Sequence, residues 1–258
     1  CQQGRVIYVN FELDRPSCLH RFADVYNKLK IPADMRRNVE VWNLRGKSLA
    51  LDKLAPKLIR RAKKINPVAV ILDPIYKVIT GDENSAEQMA LFCNQFDKIA
   101  SEVGCAAIYC HHHSKGAQGG KKAMDRASGS GVFARDPDAL LDLIELPLKP
   151  DTINYLKNKY ACAAIADYLD SHKAGWRNDV GPDDLLSEYQ MMEYARANLD
   201  AAQMEEVGHL TAQTDSAAKH TTAWRVSCTL REFEKPDDKD IYFRWPIHTL
   251  DREGVLKD

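Results

Sequence analysis

Two hydrophobic rhythms alternate along the chain. Short apolar runs without polar interruption recur between longer stretches in which apolar residues return every three or four positions. The cleanest run is Val68 to Leu72, closing on Asp73. Apolar residues in unbroken succession predict a strand buried on both faces, as in a parallel sheet. Pro74 ends its ladder because it has no N–H to donate. The run from Arg5 to Phe11, closing on Glu12, reads the same way, as do residues 39–44 and residues 105–110, which lead into His111, His112 and His113. Helical patterns over 15–29, 51–65 and 86–103 lie between these strands, the last punctuated by Gly104. Strands alternating with helices of this length predict an α/β fold with a mostly parallel, doubly wound sheet flanked by helices.

The rhythm changes further along. Residues 117–127 are rich in Gly and Lys, and 132–133 with 139–146 read as a further strand region. Residues 151–222 are rich in Ala, Met, Tyr and charge, with helical periodicity interrupted at Gly181 and Pro182. They predict a helical insertion or arm, in which Met191, Met192, Tyr194, Leu199 and Met204 serve packing or form a stripe for a partner. Strand signals return at 223–230 and 241–245 across a Pro/Asp turn, predicting an antiparallel hairpin. The expected division is a core over 1–150, an arm over 151–222 and a hairpin completing the core sheet over 223–258.

Composition narrows the possibilities. The formal net charge of −1 gives no global basic signature, so nucleic-acid contact would need a local patch or an assembly. The longest apolar runs fall well short of the roughly 20 residues of a membrane span, so no membrane partner is expected. Seven cysteines without a paired framework suggest a reducing cytoplasm. Cys105 and Cys110 beside three histidines suggest a metal site, but an odd spacing on a strand turns the two thiols to opposite faces.

The informative pattern is joint. Three predicted strands end in Glu12, Asp73 and the histidines, and in a parallel sheet those ends share one edge, where open α/β folds bind ligands. Each could separately cap a turn. Together they suit nucleoside-triphosphate hydrolysis, which needs charge neutralisation and an oriented water. Asp73 would hold Mg²⁺ through water, Glu12 would orient or deprotonate the attacking water, and a histidine would sense the γ-phosphate.

These residues carry a family resemblance. Asn10-Phe-Glu12, Val70-Ile-Leu-Asp73, Ile108 through Gly116, Arg126-Ala-Ser-Gly-Ser-Gly131 and Asp136-Pro-Asp-Ala-Leu-Leu141 occur in order. The set resembles the RecA-like P-loop ATPases of the RepA type, hexameric replicative helicases of plasmids and mobile elements. Its last segment is similar to the equivalent stretch of DnaB-type helicases. The resemblance implies ATP and Mg²⁺ as cofactors, with Glu12 as the catalytic carboxylate and Asp73 as the Walker B acid. It also implies His112 or His113 as phosphate sensor and 114–130 as the DNA-facing loop. Partners would be single-stranded DNA, further copies of the chain in a ring, and a primase or other replication protein.

Two features depart from the family. Its GxxxxGK[ST] loop belongs just before the first strand and does not occur in these 258 residues. The chain opens on Cys1 close to that strand, as a piece lacking its upstream part would, and as given it is expected to bind ATP poorly. Arg45-Gly-Lys-Ser48 is no substitute, since position 41 is Val where the first Gly belongs. The arginine finger is also unassigned, with Arg135, Arg225 and Arg231 as candidates against an ordinary surface pairing for each. Lys115, Lys121, Lys122 and Arg126 are the candidate DNA contacts, while the basic residues of 51–65 read as a solvated face. Two other readings remain: a RecA-fold regulatory or recombination ATPase similar to RadA or KaiC, and a scaffold that no longer binds nucleotide.

Overall fold

The computed structural model describes residues 3–112 and 131–257. The chain divides into two compact units, Cys1–Asp142 with Ser227–Asp237 and Leu143–Val226 with Asp238–Asp258. The first is built on β1 (Val6–Asn10), β2 (Val39–Asn43), β3 (Ala69–Asp73) and β4 (Ala106–Tyr109). These strands are parallel and lie in the order β2-β1-β3-β4. Asn10 stands in register with Asn43 on one side and Asp73 on the other, so the carboxyl ends finish level.

Helix boundaries follow their sequence signals. Asp14 caps α1 (Arg15–Lys28) by accepting the Ser17 N–H, with Pro16 in the first turn. A single turn, α2 (Ala33–Arg36), precedes β2. α3 (Leu51–Ile65) ends where Asn66 adopts a left-handed conformation. α4 (Ala86–Val103) starts at the Ser85 cap and stops at Gly104, whose φ of +72° favours glycine. Leu54, Leu58 and Ala62 of α3, with Met89, Cys93 and Ile99 of α4, bury the stripe that their 3.6-residue period creates. They cover Ile7, Val9, Val70 and Leu72, all at 0% exposure.

The opposite face is less covered than the apolar runs imply. Ala69, Ile71 and Asp73 are only half-buried, and on β4 Ala106 and Ile108 are exposed. Two causes account for this. On this face α1 packs near Tyr8, where Phe22 meets the phenol ring edge-on at 5.3 Å, and β4 pairs with β3 alone among the described residues. An unbroken apolar run therefore marks one fully buried face here and one half-covered face. A second correction falls at 132–133, where α5 (Val132–Arg135) is a helical turn rather than a strand. Phe133 anchors it against Phe92 and Tyr109, and so short an apolar pair has no period to distinguish strand from helix.

A second sheet contains β5 (Ala139–Leu146), β6 (Thr222–Leu230), β7 (Lys239–Arg244) and β8 (Ile247–Leu250) in that order. The division between the two units falls within β5 and β6. The β6–β7 hairpin is antiparallel, but among the described residues it pairs within this sheet and not with β1–β4. β8 was not foreseen; only four residues long, it follows Trp245-Pro246 and pairs back on β7.

In the second unit, α6 (Pro150–His172), α7 (Glu188–Asn198) and α8 (Ala201–Lys219) account for the helical periodicity. Asp200 and Gln203 form a reciprocal capping box at the start of α8. Ile165, Leu169, Trp176, Met191 and Val207 form the core of these helices, with Met192, Tyr194, Leu199 and Met204 packed against it. The methionine stripe is interior packing.

The α3 stripe gives a direct stability test. Leu58→Ala should cost about 2–5 kcal/mol through lost burial and the cavity left behind. Lys28→Ala on the exposed side of α1 should stay within about 0.5 kcal/mol. Urea unfolding midpoints of the two variants measure both.

Candidate active site at the carboxyl edge of the parallel sheet

Three adjacent strands, β1, β3 and β4, deliver polar residues to one edge. Glu12 follows β1, Asp73 ends β3, and His111 and His112 follow β4. His113, Lys115, Lys121, Lys122 and Arg126 lie outside the described residues, as does the 114–130 loop.

The turn carrying Glu12 is fixed by its own amides. Asn10 is 1% exposed, and its Oδ1 accepts the N–H groups of Glu12 at 3.2 Å and Leu13 at 3.0 Å. Its Nδ2 donates to the Leu13 carbonyl at 2.7 Å, which also accepts from Asn43 Nδ2 at 3.0 Å. Phe11 drops into the core, and its N–H donates to the Asp73 carbonyl at 2.9 Å. Asp14 then caps α1. Its carboxyl is held below the usual range by the backbone and hydroxyl of Ser17, with Arg45 adding a weaker pull. The turn is anchored at every residue, while Glu12 itself is exposed.

Asp73 lies on the half-covered face. The pleat puts it on the same side as Tyr8, whose hydroxyl donates to Asp73 Oδ2 at 2.5 Å. Burial first, then the neighbouring carboxylate, pushes the Tyr8 phenol well above its ordinary value and keeps it a donor. Cys110, just past β4, turns its thiol toward the same carboxylate. Cys110 is exposed as a residue; desolvation of its thiol, followed by the Asp73 charge and hydrogen bond, pushes that thiol up to about 12. Cys105 instead packs against the core, so the two cysteines face opposite ways. The His111 ring lies tilted beside Phe133, with centroids 4.7 Å apart, and the His112 ring tilted beside Tyr76 at 5.5 Å.

No group of three or more His, Cys, Asp or Glu side chains among the described residues could cage a metal ion. A hydrated Mg²⁺ needs no such cage, because it takes one or two carboxylates and completes its shell with water and phosphate oxygens. Asp73 suits that role: it ends β3 at the sheet edge, where the Tyr8 hydroxyl fixes its Oδ2.

The candidate arginines differ in their engagements. Arg225 bonds Asp240 twice, at 2.8 and 3.0 Å, across the β6–β7 register, and Asp240 is buried. Arg231 bonds Asp138 at 3.1 Å and the carbonyls of Arg135 and Asp136. Arg135 is exposed and donates from Nε to the Gly131 carbonyl at 3.2 Å. Arg45 and Gly46 lie in a turn closed by the Lys47 N–H on the Leu44 carbonyl at 2.9 Å, with Arg45 paired to Asp14 at 3.7 Å.

Tyr8 and Asn43 are site residues that sequence reading missed, while Asn10 enters it only within the Asn10-Phe-Glu12 motif and Cys110 only as a thiol beside the histidines. One signal was available: Asn10 is a lone amide inside an apolar strand, where a buried polar group must find partners. The Tyr8 contact to Asp73 spans 65 positions and needed the register.

Residues 1–118, a little under half of the chain, match the AAA_25 family, described as an AAA domain. No curated protein matches the chain. Among solved structures the chain is similar to an ATPase domain, with 13% identity and a TM-score of 0.47 over 93% of this chain and 71% of that one.

Two measurements check the local geometry. Cys110 should react slowly with iodoacetamide at pH 8, since only the thiolate attacks. Asp73→Asn removes the charge that holds the thiol up, so its pKa should fall and its alkylation rate should rise. Asn10→Ala should cost about 1–3 kcal/mol by leaving the Glu12 and Leu13 amides unpaired. Faster hydrogen exchange at those two amides would report it.

Proposed function

We propose that this chain is the core of an ATP-hydrolysing, DNA-translocating helicase of the RecA-like class, serving the replication of a plasmid, phage or mobile element. The observation that carries the reading is the level register of β1, β3 and β4, which sets Glu12, Asp73, His111 and His112 along one edge. The AAA match supports it, because its span contains all four parallel strands and both carboxylates.

In this reading Glu12 accepts a proton from, or orients, the water that attacks the γ-phosphate. Asp73, positioned by Tyr8, is the residue that would hold Mg²⁺, which when bound neutralises charge on the phosphates. His112 or His113 senses the γ-phosphate and passes its state to the 114–130 loop. Lys115, Lys121, Lys122 and Arg126 of that loop contact single-stranded DNA. Copies of the chain form a ring, proposed as a hexamer. Arg135 is the arginine best suited to reach a neighbour, since Arg225 and Arg231 each already bond a carboxylate.

ATP turnover in the full protein tests the site. Glu12→Gln and Asp73→Asn should each lower the turnover rate by at least about a hundredfold, the scale of a lost catalytic acid–base group. Circular dichroism should stay unchanged. Turnover retained in either variant would refute the assignment. An absence of ATP binding in the full protein would favour the scaffold reading instead, and ATPase activity without strand displacement on a forked duplex would favour a regulatory or recombination ATPase.

A further inference from the structure

The edge strand β2 and helix α3 enclose a second chemically distinctive place, on residues the proposed ATPase site does not use. Lys57, Arg60, Arg61 and Lys64 recur at the three- and four-residue spacing that aligns side chains along one stripe of a helix. The opposite stripe is the buried one, carrying Leu54, Leu58 and Ala62. With Trp42 of β2, the four cations line a hollow of about 440 Å³. A neighbouring hollow of about 350 Å³ shares Arg60 and adds Lys63, Lys98 and Glu102 beside Ile59 and Pro56, with Lys63 bonded to Glu102 at 3.0 Å.

The hollow is organised rather than merely charged. The Arg61 guanidinium lies over the Trp42 ring, 4.3 Å from its centroid, and bonds Glu40 at 2.7 Å. The Trp42 indole N–H donates to the same carboxylate at 3.2 Å. Glu40 thus holds an indole and a guanidinium together as a stacked platform. Among the described residues, Lys57, Arg60 and Lys64 form no ion pair. A chain of net charge −1 keeps three such cations together on one short stripe.

We propose that this hollow binds single-stranded nucleic acid, with a base stacked on the Arg61–Trp42 platform and the phosphates laid over Lys57, Arg60 and Lys64. The distance from Lys57 to Lys64 along α3 is about 10 Å at the helical rise, a length over which successive phosphates of one strand can meet successive cations. Bases stack on both aromatic rings and guanidinium planes, and lysines supply the sequence-independent charge. A duplex would hide its base faces from the platform, and an acidic peptide would use the cations but not the stack. The inference stands independently of the ATPase reading.

The test is anisotropy of a fluorescein-labelled oligothymidylate, titrated with the purified chain between about 50 and 200 mM salt. The combined variant Lys57→Glu, Arg60→Glu, Lys64→Glu should weaken binding by at least about tenfold and flatten the log K against log salt slope by about 2, at roughly 0.7 per phosphate contact. Three reversals elsewhere, Lys28→Glu, Lys30→Glu and Arg37→Glu, match its charge change and should leave binding within about twofold if a local site rather than net charge governs it. Arg61→Lys keeps the charge and loses the plane, so it should also weaken binding. The α3 effect should persist in a Lys121→Glu, Lys122→Glu background, which separates this site from the 114–130 loop. Equal weakening by the control reversals, an unaffected α3 variant, loss of the α3 effect in the loop background, or equal displacement by duplex DNA or polyglutamate would each overturn the proposal. Melting curves establish that each variant is folded.

Discussion

A pleated strand has two faces, and what covers one decides what the other can show. In the parallel sheet, α3 and α4 take Ile7, Val9, Val70 and Leu72 completely out of water. Because side chains alternate, that commitment leaves Tyr8, Ile71 and Asp73 on the opposite, half-covered face. A one-residue slip of β1 or β3 would exchange the two sets, exposing isoleucine and leucine and burying the carboxylate without its phenol. The hydrophobic face therefore holds the Tyr8–Asp73 pair in place. The level ends of β1, β3 and β4 follow from the same register.

Local chemistry completes what the register begins. The turn after β1 takes no orientation from packing alone: four hydrogen bonds from two asparagines hold it, each to a backbone group of Glu12 or Leu13. Buried polar groups satisfied in this way rigidify their surroundings, since any rearrangement strands at least one of them. The carboxylate of Glu12 leaves a stiff base and reaches solvent, an arrangement suited to the role proposed for it.

Much of the fold could be read in the chain because the signals were local. α3 and α4 declared themselves through a repeating apolar stripe, and α4 also through Gly104 at its end. Glu12 and Asp73 stood out as charges closing apolar runs. What stayed hidden depended on distance. Half-coverage of the second sheet face depends on where α1 lands, and β8 is too short and follows a proline too closely to show a pattern. The basic stripe of α3 looked like a solvated face because its aromatic partner, Trp42, belongs to a strand that precedes it in the chain.

The position of β1 has a consequence for how the molecule comes to exist. This strand is the earliest of the four along the chain, yet it sits inside the sheet, between β2 and β3. Its two ladders close with segments more than thirty and more than sixty positions downstream. During synthesis its apolar residues therefore emerge long before either neighbour exists to pair with them. Contacts of such wide sequence separation form late and slowly, and an unpaired apolar strand is open meanwhile to the wrong partners. The nascent chain must carry the future centre of its sheet as its most exposed liability until β3 has been made.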